Sequence, residues 1–143
     1  MSVIVIEFIT LDGIVSDPDG SDGTPAGGWA FRHGPQTVAD NPFRLGRTLA
    51  DTSAWQNSQV IDGDLVDTVK REQRDVIIMG SLSVVHALMA ADLIDEYRLL
   101  TFPTILGAGE RLFPAGGPPA YLECLSAEQA GPGALARYRR AAR

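Results

Sequence analysis

Cysteine and histidine are scarce in this chain of 143 residues. Cys124 is its one cysteine, and the two histidines, His33 and His86, lie far apart in the sequence. A lone thiol cannot form a disulfide within the chain, and one cysteine with two isolated histidines does not make a zinc site. We therefore expect no metal, and we read both histidines as structural. The lack of disulfides favours a cytoplasmic protein.

Long apolar runs and an excess of basic charge are missing too. No apolar stretch approaches the roughly 20 residues that span a bilayer. The first short run, Val3–Ile6, follows no basic residue and is interrupted by Glu7, which does not support a signal peptide. Lys and Arg number 12 against 18 Asp and Glu, a net charge of −6, whereas surfaces that bind nucleic acids or anionic membranes are normally basic. We expect neither nucleic acid nor membrane as a partner.

Familiar nucleotide and nucleophile motifs are also absent. G-x-x-x-x-G-K-[ST] does not occur, and no G-x-G-x-x-G follows a predicted strand. No Ser–His–acid set can be told from chance. The sequence thus gives no support to a P-loop, a glycine-rich dinucleotide motif or a serine hydrolase.

The chain is organised around one β–turn–α–β unit. Val76–Met79 is a continuous apolar run, typical of a parallel strand that is buried on both faces. Helical spacing then relates the apolar residues Val84, Val85, Leu88, Met89 and Leu93. Glu96–Phe102 is predicted as the second strand, which a right-handed crossover places in the same parallel sheet. The connecting turn is Gly80–Ser83, where Ser81 or Ser83 can cap the helix and free N–H groups can bind an anion.

The rest of the chain completes one domain, residues 1–143, with 45% hydrophobic residues. The other predicted elements are a strand at Val3–Ile9, a short strand at Gln59–Ile61, a helix at Asp64–Arg71 and a hairpin of Tyr121–Leu125 with Ala134–Tyr138. Asp17–Gly28 is rich in Gly, Pro, Asp and Ser and is predicted to be a loop. Long loops in compact domains often cover a functional site.

Several of these segments together resemble one family. The matching pieces are G-S-x-S at Gly80–Ser83, Leu93–Glu96, P-T-I-L-G-x-G-x-R-L-F at Pro103–Phe113, L-D-G at Leu11–Gly13 and the loop at Gly28–Phe31. The ordered set resembles the riboflavin-type reductases of the RibD C-terminal-domain group. This resemblance implies an α/β, dihydrofolate-reductase-like three-layer fold. Its central sheet is mostly parallel and flanked by helices, with a C-terminal antiparallel hairpin.

The resemblance also implies a reaction and a cofactor. The family transfers hydride from NADPH to a flat pterin- or pyrimidine-like heterocycle, as a 5-amino-6-(5-phosphoribosylamino)uracil reductase does. The matching positions for the cofactor are Gly80, Ser81, Leu82 and Ser83, with Arg47 and Thr48 near the adenosine-ribose phosphate. Leu82 departs from the glycine of many members. Arg47 is also readily explained as an exposed surface arginine.

Three further residues fall at the substrate side of this resemblance. Asp12 is the expected catalytic residue, orienting substrate or water near the nicotinamide, although an Asx-type bond shaping a glycine turn explains it equally well. Trp29 and Phe31 are expected to bind the heterocycle. They can equally well anchor their loop onto the core.

The resemblance has a gap around residues 43–50. Phe43–Gly46 runs almost directly into Arg47–Asp51, where the family has further helices and strands, so part of the phosphate site is missing. A non-catalytic, shortened homologue that serves as a binding or structural domain is therefore the alternative. Lost strands would expose edges beside Val60, Ile77 and Leu99, which predicts a homodimer that covers them.

Overall fold

The computed structural model describes residues 1–33, 61 and 63–142. Its helices and strands follow one another along the chain as β1 Val3–Thr10, a 3-10 helix Phe31–His33, α1 Leu65–Arg71, β2 Val76–Met79, α2 Leu82–Ala90, β3 Glu96–Phe102, β4 Leu122–Ala130 and β5 Gly133–Arg140. The predicted bounds of β2 and β3 agree with the structure. The predicted hairpin is present with longer strands, and the predicted helix at 64–71 begins one residue later, after Asp64 caps it.

These strands form one mixed sheet in the order β2-β1-β3-β5-β4. β1 runs parallel to β2 and to β3, so the predicted crossover is confirmed. β5 pairs antiparallel with β3 and with β4, which forms the C-terminal hairpin. The predicted α/β class, with parallel strands, flanking helices and a closing hairpin, is confirmed.

The main core lies on one face of the sheet. Alternation along β1 turns Val3, Val5 and Ile9 to this face, and the register adds Leu99 from β3. Both helices cover it through Val69 of α1 and through Val85 and Leu88 of α2, which are at most 6% exposed. Both helices are therefore needed to shield the apolar side chains on this face of β1 from water.

A second, smaller cluster lies on the opposite face at the carboxyl end of β1 and β3. Trp29, Ala30 and Phe102 are buried there, with Phe8 packed against them. The ring centroids of Trp29 and Phe102 lie 5.5 Å apart at 80°, an edge-to-face contact. This cluster attaches the segment that follows the Gly-rich loop to the sheet.

One sequence prediction about β2 is wrong. The strand was expected to be buried on both faces, but Ile77 is 56% exposed and Ile78 is the one buried residue of the four. β2 is an end strand of the described sheet, and only its Ile78 side faces the helices. The short strand predicted at Gln59–Ile61 and the shortened segment around 43–50 lie outside the described residues, except Ile61, which belongs to no strand.

The hairpin extends the sheet beyond its helical cover. All of β4 except Ala130 is exposed, and a register shift separates Cys124 from Ser126. Gly133 begins β5 where a Cβ would come 2.6 Å from the carbonyl oxygen of Thr101, so the close approach of β5 to β3 requires glycine there. No helix in the described part of the chain is long and apolar enough to span a bilayer.

Candidate functional site

β2 ends well before its neighbour β1. Met79, its last residue, pairs with Ile6, whereas β1 continues for four more residues to Thr10. At about 3.3 Å per residue, the described strands leave a step roughly 13 Å long beside β1. The chain leaves β2 at Gly80 and enters α2 at Leu82. A strand-to-helix turn is therefore present as predicted, at the base of this step. It is shorter than predicted, because Leu82 and Ser83 already belong to α2.

No described residue closes the space beside this turn. Gly80 has a φ of 71°, a left-handed conformation that favours glycine, and a Cβ there would meet nothing within 4 Å. The predicted helix cap is not formed, because Ser81 occupies the N-cap with φ −96° and ψ 85° and its side chain makes no capping hydrogen bond. Ser83 lies inside the helix. The first N–H groups of α2 have no partner within the helix, as at every helix start.

Glu7 is a functional candidate that the sequence reasoning missed. Its side chain is on the helix-covered face of β1 and is 6% exposed. The carboxylate accepts a hydrogen bond from the Gly80 N–H at 3.0 Å. Burial raises the pKa of Glu7 to about 7, and the bond from Gly80 opposes that rise. The available signal was an acid inside an apolar strand.

A cleft of about 400 Å³ lies between the start of α2 and the segment after the Gly-rich turn. It is lined by Leu82, Ser83, His86, Glu110, Arg111 and Pro114. Two of the predicted cofactor residues, Leu82 and Ser83, thus line an open cleft that is also lined by Arg111 and by the acidic Glu110. Helix N–H groups and an arginine are both suited to an anionic ligand.

The wall of this cleft is fixed by backbone pairing with the turn after β1. The Val15 N–H donates to the backbone carbonyl oxygen of Glu110 at 3.0 Å, and the Leu112 N–H donates to the backbone carbonyl oxygen of Gly13 at 3.1 Å. Arg111 Nη1 donates to the carbonyl of Asp12 at 2.9 Å. The cleft residues on this side are therefore positioned by the amino-terminal turn.

His86 of α2 contacts the backbone of the same wall. Its Nε2 lies 3.0 Å from the Leu112 carbonyl oxygen and 3.2 Å from that of Arg111. Because both partners can only accept, Nε2 carries the proton. This contact agrees with the structural role that we expected for His86.

Asp12 joins the turn after β1 to the Gly-rich turn. Its carboxylate accepts hydrogen bonds from Thr10 Oγ1 at 2.6 Å, from Gly107 N–H at 2.7 Å and from Leu106 N–H at 3.2 Å. These bonds, the one from Thr10 first, lower the pKa of Asp12 to about 2. Asp12 is therefore ionised at neutral pH, and it organises both turns beside the cleft.

Trp29 and Phe31 differ in their surroundings. Trp29 is 1% exposed, and its Nε1–H donates to the Ser16 carbonyl at 2.9 Å, which anchors the loop. Phe31 is 45% exposed. Nearby, His33 Nε2 lies 2.7 Å from Thr104 Oγ1, a contact that fits a structural histidine. Of the two predicted substrate residues, only Phe31 offers its ring to solvent.

The loop before Trp29 is held by one carboxylate. Asp17 is 3% exposed and accepts hydrogen bonds from Asp22 N–H, from Thr24 N–H and from Thr24 Oγ1. The Thr24 hydroxyl above all lowers the pKa of Asp17. The backbone carbonyl of Asp17 accepts a hydrogen bond from the Gly28 N–H at 2.9 Å, which closes the loop.

Two groups of predicted site residues lie on opposite faces of the sheet. Gly80, Leu82 and Ser83 lie with α2 on the main-core face, whereas Trp29 packs with Phe102 on the other face. Both groups lie towards the carboxyl ends of the parallel strands, where open α/β sheets bind ligands. Arg47 and Thr48 lie outside the described residues. Within those residues no group of three His, Cys, Asp or Glu side chains could hold a metal ion.

The sequence of residues 47–136 matches the model of the RibD C-terminal domain. This segment is more than half of the chain. The chain belongs to the RibD C-terminal domain family. No curated protein sequence matches it.

Solved structures that resemble this RibD C-terminal domain share its fold. One is described as a riboflavin biosynthesis protein of Shewanella sp. PV-4, with 21% identity, a TM-score of 0.65, and coverage of 99% of this chain and 100% of that one. A pyrimidine reductase-like protein of Corynebacterium diphtheriae has 12% identity and a TM-score of 0.62, with coverage of 99% and 92%.

A third structure belongs to a longer protein. It is the diaminohydroxyphosphoribosylaminopyrimidine deaminase/5-amino-6-(5-phosphoribosylamino)uracil reductase of Thermotoga maritima, with 16% identity and a TM-score of 0.57. The match covers 98% of this chain and 56% of that one. These likenesses show that the chain has the fold of its family.

Proposed function

We propose that this protein is a cytoplasmic, NADPH-dependent reductase of a pyrimidine- or pterin-like heterocycle. The observation that carries the proposal is the Gly80 turn, which opens beside a cleft containing Arg111 in a member of the RibD C-terminal domain family. The reductase named for the Thermotoga maritima relative suggests the substrate class, a uracil bearing a phosphoribosylamino group.

The residues present fit the anionic part of such a cofactor. Gly80 leaves room for close approach, and Ser81, Leu82 and Ser83 offer backbone N–H groups at the helix start. Arg111 adds a positive charge to the cleft. NADPH, when bound, would supply the hydride. Arg47 and Thr48 remain predicted contacts to its adenosine-ribose phosphate.

The substrate side is assigned to Asp12 and Phe31. Because Asp12 is ionised at neutral pH, it can accept hydrogen bonds from a heterocycle or a water but cannot donate a proton. Its bonds to Leu106 and Gly107 hold the Gly-rich turn that borders the site. Phe31 offers an exposed ring for stacking. The buried Trp29 anchors the same segment through its hydrogen bond to the Ser16 carbonyl.

A calorimetric titration with NADPH tests the cofactor site. We expect wild type to bind and Gly80→Val to abolish binding, because the new side chain projects into the open space and strains a left-handed residue. Gly23→Val is the matched control. Gly23 has a φ of 69° and no atom within 4 Å of a built Cβ. Valine there should therefore impose a similar backbone strain at a position that does not line the cleft.

Two results would count against the reductase. If the folded Gly80→Val protein binds NADPH as wild type does, the turn is not the cofactor site. If wild type fails to bind at millimolar NADPH, the non-catalytic, shortened homologue is favoured. Oxidation of NADPH upon addition of 5-amino-6-(5-phosphoribosylamino)uracil then tests turnover directly.

A further inference from the structure

Glu7 joins the first strand to a turn 73 residues later in the chain. The backbone pairing of β1 with β2 ends at Ile6 and Met79. Glu7 is the next residue of β1, and its carboxylate takes the N–H of the next residue after β2, Gly80, at 3.0 Å. A side chain thus replaces the backbone partner at the point where the chain turns away from the sheet.

This arrangement is costly as a purely structural device. Glu7 lies on the face where its neighbours Val5 and Ile9 and its register partner Leu99 are all core residues. A carboxyl group in such surroundings is poorly solvated, and an apolar side chain of similar size would pack there without that penalty. What glutamate adds is an acceptor aimed at one N–H of the turn.

We infer that Glu7 is a positioning residue for the cofactor turn. By holding the Gly80 N–H, it fixes the direction in which the chain leaves β2. That direction in turn determines where the first N–H groups of α2 point beside the cleft. This inference rests on the proposed NADPH site, and it adds a residue that does not itself touch the cofactor.

Two substitutions separate positioning from packing. Glu7→Gln keeps a carbonyl acceptor for the Gly80 N–H, and Glu7→Leu keeps the approximate size but removes the acceptor. Leu99→Val is the control, because Leu99 lies opposite Glu7 in the sheet register and its truncation disturbs the same core without altering the turn. All four proteins are titrated with NADPH by calorimetry, and hydrogen exchange of the Gly80 amide is measured by NMR without cofactor.

We expect Glu7→Leu to raise the dissociation constant for NADPH by at least about tenfold and to speed exchange of the Gly80 amide by a similar factor. Glu7→Gln should restore both quantities to within about threefold of wild type, since the acceptor is retained. Leu99→Val should lower thermal stability and leave NADPH affinity unchanged.

The outcomes distinguish this inference from the proposed function. If wild type binds NADPH and Glu7→Leu binds it equally well, the positioning role is refuted while the cofactor site stands. Equal losses of affinity in Glu7→Leu and Leu99→Val would also refute it, because a general core defect would then be the cause. If wild type does not bind NADPH, both the proposed function and the positioning role fail, whatever the amide exchange shows.

Discussion

The pH dependence of folding stability should report the burial of Glu7. The pKa of this carboxyl group is about 7 in the folded protein, against an ordinary value of 4.5. Between these two values the unfolded chain has released a proton that the folded protein still holds, so stability falls as pH rises. The contribution is fully present below pH 4.5 and is lost as pH rises through 7.

The size of the effect follows from the two pKa values. They differ by about 2.5, and each pH unit between them is worth about 1.4 kcal/mol, so the change is of the order of 3 kcal/mol. Small domains have unfolding free energies of about 5–15 kcal/mol, so a loss of this size is readily measured. The Glu7→Gln side chain cannot ionise, so this variant should not show the loss of stability that ionisation of Glu7 causes.

Urea unfolding of wild type and Glu7→Gln at pH 5, 6, 7 and 8 provides the assay. Comparing the two proteins removes the contributions of the charged and polar side chains that they share. On the elements packed at this face these side chains are Asp67, Lys70, Arg71, His86, Tyr97, Glu110, Arg111 and Tyr138. The free energy of unfolding of Glu7→Gln, relative to wild type, should rise by roughly 2.5 kcal/mol from pH 5 to pH 8. A difference that stays constant across this range would show that Glu7 titrates normally and would refute the reasoning.

Two other predictions concern the loop and the assembly. Gly27→Ala should lower the free energy of unfolding by about 1–3 kcal/mol, because the new Cβ would lie 2.1 Å from Asp17 Oδ2. Gly117→Ala, whose Cβ meets nothing within 4 Å, should change it by less than about 0.5 kcal/mol, and equal effects would contradict the close-packed loop. We also propose a homodimer that covers Ile77 on β2 and buries about 1,200–2,000 Å² in total. Sedimentation at micromolar concentration checks it, and a stable, cooperatively unfolding monomer would refute it.

Local patterns were sufficient to predict most of the described elements. Glu96–Phe102 and Val76–Met79 were bounded correctly because a glycine, a helical repeat or a proline adjoins each of them. Burial was harder to predict. Ile77 and Ile78 look alike in sequence, and only their places in the assembled sheet make one exposed and the other buried.

The candidate site was predicted in part, for the same reason. Glycine at position 80 is visible as a change of pattern, so the turn could be located. Glu7 could not be assigned, because its partner is 73 residues away and its burial depends on two helices. Trp29 was left between two roles, and its bond to the Ser16 carbonyl, which anchors the loop, is a tertiary fact.

The position of β1 in the sheet constrains the order of folding. β1 comes first in the chain but lies between β2 and β3, whose pairings begin with Val3↔Val76 and Ile4↔Glu96, 73 and 92 residues later. At about 5–20 residues per second, a growing chain would wait roughly 5–20 s before β1 has both neighbours. During that time an apolar strand remains unpaired, whereas β4 and β5 are separated by a short turn and can pair at once. Among the described strands, β1 is therefore unpaired for longest during synthesis and most exposed to aggregation, and the β4–β5 hairpin forms fastest.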